Sequence, residues 1–301
     1  MVSESDIQVR LWRREEPSSL GMRIWTGLLK FSRAKPVGAI GAWVILAAIV
    51  ISVFAPWIAP QDPREFVGSK YEAPNTEHFM GTDDLGRDVL SRVIYGGRIS
   101  LFVGFFAVFV GVTFGLLVAL ISGYIGGWVD ALVQRIVDAM LAFPGIVLAL
   151  FLVTAISPSL GSVVAAIAIS FVPSCARTLG AQVLSIKATP YVDAARAIGC
   201  SHWRIMIQHM LPNIRALYVV LMSLYIGVAI IIEATLSFLG FGPSPEIASW
   251  GRMVSDGSRQ MFLAGPWASL WPSVAIGLVV FSFNMLGDAV RDVWDPRLRG
   301  S

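Results

Sequence analysis

Five long stretches of this sequence contain no Asp, Glu, Lys or Arg: residues 36–61, 99–129, 139–176, 216–232 and 260–287, of 26, 31, 38, 17 and 28 residues. A hydrocarbon layer about 30 Å thick is crossed by about 20 helical residues rising about 1.5 Å each. Each window is therefore of spanning length or close to it. The 38-residue window is nearly twice what one crossing needs, and Ser157-Pro158-Ser159-Leu160-Gly161 inside it suits a turn. Six helical spans are expected, at 37–59, 100–123, 139–157, 161–184, 214–237 and 267–289 of the sequence. The expected fold class is an all-α polytopic membrane protein.

Composition agrees, with 14% charged and 55% apolar residues, where a soluble domain carries about 25% charge. That excludes disorder, collagen and disulfide-stapled secreted scaffolds. The net charge of +3 is small beside 23 basic and 20 acidic residues, and gives no reason to expect nucleic acid as a partner. The two cysteines, Cys175 and Cys200, read as inert thiols. His78, His202 and His209 lack the spacing and co-ligands of a metal site, so no metal is expected.

Seven basic residues (Arg10, Arg13, Arg14, Arg23, Lys30, Arg33 and Lys35) precede the first span and put the N-terminus in the cytoplasm by the positive-inside rule. Six crossings return the C-terminus to the same side, and that arrangement leaves 16 of the 23 basic residues cytoplasmic. The first apolar stretch is too long for a signal-peptide core and is expected to remain as an anchor. The expected organisation is a cytoplasmic arm at 1–35, a first span with an outer segment at 36–98, a five-helix core at 99–291 and a cytoplasmic tail at 292–301. A cytoplasmic elbow at 187–213 lies within the core.

In the outer segment Leu85, Val89, Leu90, Val93 and Ile94 follow the 3.6-residue period, Thr82, Asp83 and Asp84 suit a helix start, and Asp88 sits one turn before Arg92. Two readings fit: a helix lying on the membrane surface, or part of a substrate entrance. Small-residue spacings, Gly111 to Gly115 and Gly123 to Gly127, permit close helix approach inside the fold or across a dimer, with packing preferred.

The stretch between the fourth and fifth spans, LSIKATPYVDAARAIGCSHWRIMIQHMLPNIRA, is the least generic part. After Thr189-Pro190 comes a short helical run, 191–198, ended by Gly199, whose missing Cβ lets the chain turn. A second run from Ser201 reaches Leu211-Pro212, where the ring must kink or restart a helix. Such an elbow, clamped to spanning helices at both ends, can turn a push from a soluble partner into tilting of those helices. Ala194 and Ala195 are small enough for close approach by another surface.

These residues resemble the motif of permease subunits of bacterial ATP-binding-cassette importers: Glu-Ala-Ala, three residues, Gly, nine residues, Ile, any residue, Leu-Pro. Asp193-Ala194-Ala195, Gly199 and Leu211-Pro212 stand at that spacing, with Asp193 for Glu and His209 for Ile. His before x-Leu-Pro-Asn is similar to the dipeptide and oligopeptide branch. So are Gly81-Thr82-Asp83-Asp84-Leu85-Gly86-Arg87-Asp88, Arg135-Ile136-Val137-Asp138 with Phe143-Pro144, Leu236-Ser237-Phe238-Leu239-Gly240, Trp250-Gly251 and the terminal FNMLGDAVRDVWDPRLRG. The resemblance covers residues 35–300 and implies a type I importer permease fold with a cytoplasmic coupling helix.

It further implies a homologous second permease, two ATPase subunits that bind ATP and Mg, an extracytoplasmic binding protein, and surrounding lipid of the inner membrane. The implied ATPase interface is Tyr191, Asp193, Ala194, Ala195, Ala197, Gly199, His202, Trp203, Leu211 and Pro212. Asp83, Arg87, Glu233 and Trp250 are candidates for the substrate path or for contact with the binding protein. Members of the branch import dipeptides, longer peptides, glutathione, nickel chelates, opines and some sugars; a short peptide is the favoured solute.

From the residues alone, no G-x-x-x-x-G-K-[ST] loop is present, so the chain holds no nucleotide in the P-loop manner, and no catalysis or cofactor of its own is expected. Glu233, near the outer end of the fifth span, is either a substrate contact or a carboxylate reaching interfacial water. Arg177 is explained by snorkelling, and Asp130, Arg135 and Asp138 by a solvated helix entry with local pairing. The rival reading is a self-sufficient secondary transporter or channel, which would need acids at mid-depth that the charge-free windows lack. Pro144 and Pro173 are candidate helix breaks. A membrane scaffold without transport predicts no elbow.

Overall fold

The computed structural model describes residues 32–33, 35–156, 159–242, 244, 246–259, 261 and 265–294. The expected arm up to residue 31, Ser157 and Pro158 of the expected turn, and the tail from 295 lie outside the described residues, as do five of the seven N-terminal basic residues.

Over most of their described residues the apolar runs are helix, and the breaks follow backbone chemistry. α1 (Pro36–Val53) opens on a proline, where a missing N–H costs nothing, and passes through Phe54 into the single turn α2 (Ala55–Ile58). α3 (Val89–Ile125) runs unbroken for 37 residues. At about 1.5 Å per residue it is about 55 Å long, nearly twice a hydrocarbon core of about 30 Å. The amphipathic segment is thus no separate surface helix: it is the first turns of α3. The helix starts later than the period suggests, because Asp88 is the N-cap, its Oδ2 accepting from Ser91 N at 2.7 Å. Thr82 to Arg87 form turns before it, and Asp88 caps Ser91 instead of pairing with Arg92.

α4 (Gly127–Leu141) and α5 (Gly145–Ile156) meet at 90°. Pro144 stands at that break, where its lack of an N–H ends the ladder. The 12 residues of α5 reach about 18 Å, too short to cross alone. Where a straight helix was expected at 139–157 there is a bent pair, which adds a crossing when it is counted as one span. α6 (Leu160–Lys187) begins with a capping box between Ser159 and Ser162 and carries Pro173 without ending.

The elbow follows as α7 (Pro190–Ala197), α8 (His202–Arg204) and a π-helical turn, Ile205–Met210, which runs straight into α9 (Leu211–Phe238). Pro212 is accommodated by that widened turn, with Leu211 N–H reaching back five residues to Met206 O, instead of by a sharp kink. α10 (Trp250–Ser258) and α11 (Trp267–Trp294) complete the chain. Among the described residues, five helices are long and apolar enough to cross a membrane, or six when the bent pair counts as one span.

α3 and α6 share the largest interface, and α9 and α11 close the core around them, with α1 laid on α11. Val103, Ala107, Val112, Leu116, Ile167, Phe171, Leu179, Ile226 and Ile230 fill the centre. The close approach of α3 to α6 depends on Gly111 and Gly115. A Cβ there would lie 2.5 Å from Ala168 O and 2.6 Å from Cys175 Cβ. The small-residue stripe thus packs inside this chain, whereas Gly127 touches no neighbour and serves the turn after α3 with φ +59. On the opposite side of α3, Phe102, Phe105, Phe106 and Phe109 stand exposed, the apolar outer surface that lipid accepts.

Candidate functional site

The elbow is made of two short helices and one turn with opposed inner and outer faces. Inward, Val192 (0% exposed), Ala195 (4%), Ile205 and Met210 pack into the main core. Outward stand Ile198 at 80%, Trp203 at 65%, Ile207 at 54% and Tyr191 at 42%, with Asp193, Ala194, Ala197 and His202 also exposed. Ala195 thus seats the elbow on its own chain and is not part of the outer face expected for it; Leu211 is half-buried and Pro212 exposed. Asp193 pairs only locally, with Arg196 Nη1 donating to it at 3.0 Å.

Gly199 ends α7 as its spacing predicts. Its φ is +78, its N–H reaches Arg196 O at 3.0 Å, and Cys200 N–H reaches Ala195 O at 3.0 Å, a complete Schellman cap. No atom lies within 4 Å of a Cβ added there, so the glycine is required by backbone conformation and not by crowding. The far end is pinned by Asn213, whose amide donates to His209 O at 2.7 Å and to Tyr191 Oη at 3.1 Å.

At the other end of the helices the loop before α3 folds into a charged knot. Asp83 Oδ1 accepts from the backbone N–H of Leu85 and of Arg87, and its Oδ2 accepts from Arg87 Nε at 2.7 Å. Arg92, 1% exposed, lies with Nε 3.2 Å from the same oxygen and donates through Nη1 to Pro63 O at 3.0 Å. One carboxylate therefore serves two guanidinium groups in a buried setting. Burial, then the neighbouring Asp83 and Asp256, push the Asp84 carboxyl above its ordinary value, against the opposite pull of Arg87 and Arg92. Burial and Asp84 push the Tyr71 hydroxyl up in the same way.

Glu233 is 0% exposed and turns inward, accepting from Ser237 Oγ at 2.8 Å and Ser100 Oγ at 3.0 Å. It does not reach interfacial water; it ties α9 to α3. Trp250, 3% exposed, joins the same knot: its backbone N–H donates to Ser100 Oγ at 3.3 Å and its Nε1 to Val93 O at 2.8 Å. In front of Arg87 and Asp84 opens a cavity of about 480 Å³, also lined by Arg64, Glu246, Arg252 and Asp256. Asp83 holds Arg87 of that wall, and Glu233 and Trp250 do not line the cavity.

Sequence reasoning missed Arg92 as a buried group, and Ser100 and Tyr124 altogether. A helical period marked the face of Arg92 but not its partner, which sits in a turn nine residues earlier; Ser100 and Tyr124 carry no local signal. Arg177 pairs with Asp138 across α6 and α4 instead of snorkelling, and Gln134 donates to Asp130 at 3.4 Å.

The chain is similar to known transport proteins over most of its length. Residues 111–300 match the family described as binding-protein-dependent transport system inner membrane component, and residues 25–75 match the N-terminal transmembrane domain of oligopeptide transport permease C. The dipeptide transport system permease protein of Alkalihalophilus pseudofirmus is 41% identical over 276 residues, 91% of this chain and 90% of that protein. The glutathione transport system permease protein of Salmonella typhimurium is 40% identical over 278 residues, 92% of this chain and 91% of that protein.

Proposed function

The chain belongs to the family of binding-protein-dependent transport system inner membrane components, and on that premise we propose that its elbow, residues 190–212, couples it to ATPase subunits on the cytoplasmic side. It is a multi-pass inner-membrane permease of an ATP-binding-cassette importer. In our reading it forms half of a translocation path with a homologous second permease, and an extracytoplasmic binding protein delivers the solute. A short peptide is the favoured solute, glutathione included, since the relatives named above carry those names.

The observation that carries the reading is the outer face of the elbow. Ile198, Trp203, Ile207 and Tyr191 are large, apolar and uncovered, and they stand on a scaffold fixed at both ends by buried Val192 and Met210. Water gains nothing from such a face, and a partner groove that covers it removes apolar area from water. With both termini cytoplasmic, as the basic residues indicate, the elbow meets the compartment that contains ATP. Magnesium and ATP are held by the partner; this chain contributes the surface that is pushed. Closure of two ATPases around ATP draws two elbows together and shifts the spans between inward-open and outward-open packings, and hydrolysis resets them. At the opposite end, the cavity bordered by Arg87 and Asp84 faces the incoming solute or its binding protein, with Asp83 holding Arg87 in place.

Co-purification tests the reading. The membrane complex extracted with its ATPase subunits is expected to hold together for the native chain and to lose the ATPases on Asp193→Arg. That substitution reverses an exposed charge, so the permease itself stays folded. A native chain that imports a labelled dipeptide into proteoliposomes with no ATPase present would overturn it.

A further inference from the structure

The elbow is joined covalently to α6 and α9 alone, yet α3 is the helix that packs most widely against the rest of the bundle. A push on the elbow that left α3 behind would shear the interface that Gly111 and Gly115 make close. The end of α3 carries a side chain that bears on this. Tyr124, the second-last residue of the helix, is 7% exposed. Its hydroxyl lies 2.8 Å from His202 Nδ1, and the two rings meet edge to face with centroids 5.6 Å apart. The Arg196 guanidinium carbon lies over the Tyr124 ring at 5.6 Å, and the Lys187 ammonium at 5.9 Å.

Those three partners are not neighbours in sequence. Lys187 is the last residue of α6, Arg196 lies in α7 and His202 opens α8. The end of α6 and the two short helices of the elbow therefore each place one side chain on the same aromatic ring. Lys187 also donates to Gly123 O at 3.0 Å, at the C-terminal end of α3 where a cation is favoured by the helix dipole. Two cations within 6 Å of the ring centroid and a hydrogen bond at its tip are directional contacts, stronger in a half-buried setting than in water. An apolar filler at position 124 would pack but would not hold the elbow in register.

We propose that Tyr124 is a positioning residue for coupling: it clasps the elbow to the end of α3, so that displacement of the elbow carries α3 with α6 and α9. The proposal rests on the reading of the elbow as the ATPase contact and deepens it, since it names the side chain through which the push reaches a third helix. Tyr124 is buried within its own chain.

The test uses the assembled complex of both permeases and both ATPases in proteoliposomes with the loaded binding protein, and a radiolabelled Ala-Ala dipeptide and glutathione as probes. Tyr124→Phe keeps the ring and both cation contacts and removes only the hydroxyl. It is expected to leave assembly and basal ATP hydrolysis within about twofold of the native complex and to lower solute imported per ATP hydrolysed by about fivefold, the low end of ordinary coupling effects. Tyr124→Leu is expected to lower it further. A Tyr124→Phe complex with the native import-to-hydrolysis ratio overturns the proposal, as does one in which import falls only because the complex fails to assemble. A native chain that binds no ATPase overturns the reading beneath it, and the proposal with it.

Discussion

The two ends of the helix bundle treat polar and apolar groups in opposite ways. At the cavity end, Asp83, Arg87, Asp88, Arg92 and Glu233 are all buried and all engaged within this chain. At the elbow, Asp193 and Arg196 are exposed, and so are Trp203, Ile198 and Ile207. A buried charge is costly without partners, and at the first end the charges are paired within this chain, although Arg92 Nε and His78 Nδ1 make no hydrogen bond there. An uncovered apolar face is the opposite case, one that covering by another molecule would stabilise. In the proposed function the contrast separates stiffness from docking: the cavity end is held by contacts within the chain, and the elbow is the end proposed to be gripped.

Three substitutions break or sharpen that contrast. The largest effect is expected from Asp83→Ala, which leaves Arg87 and Arg92 buried without their shared carboxylate; removing one partner of a buried pair costs about 3–5 kcal/mol. Thermal unfolding of the purified protein checks it, and an unchanged melting temperature would show that the knot is not holding the loop to α3. A smaller effect of opposite sign is expected from Asp84→Asn. A carboxyl whose value is raised in the folded protein favours folding in its protonated form, and that contribution is lost as pH rises through the raised value. At neutral pH the ionised Asp84 therefore weighs against the fold. Asp84→Asn should raise the melting temperature there, with the gain fading as the pH falls into the carboxylate range.

The smallest effect on stability is expected from Trp203→Ser. The side chain is 65% exposed, so the change should stay within about 0.5 kcal/mol. Its consequence should appear only in the amount of ATPase retained on purification, which should fall. Loss of stability without loss of ATPase would reverse the roles assigned to the two ends.

Much of the elbow was legible in the sequence. The spacing of Asp193, Gly199 and Leu211-Pro212 follows from local chemistry, since a left-handed cap needs glycine and a proline needs a helix start or a widened turn before it. The outer segment was read less well. Its period was helical, but it was read as a segment apart from the span at 100–123, with Thr82, Asp83 and Asp84 at its start, whereas one helix capped by Asp88 carries both. Glu233 looked like a residue for water or substrate, because nothing near it in sequence reveals Ser100, 133 residues away. The region of the expected third span was legible as apolar and not as bent: Pro144 marks a candidate break, and the 90° between the two helices is visible only in the structure.

The sequence by itself determined the number of crossings to within the bent pair, the elbow and its cap, and the membership of the family, because hydropathy, glycine and proline act over one to four turns of chain. Only the tertiary structure decided which charges are buried together, that the glycine stripe of α3 seats α6, and that Lys187, Arg196 and His202 converge on Tyr124. Those contacts join residues far apart in the chain, and their energy depends on distance and desolvation, which no local pattern encodes.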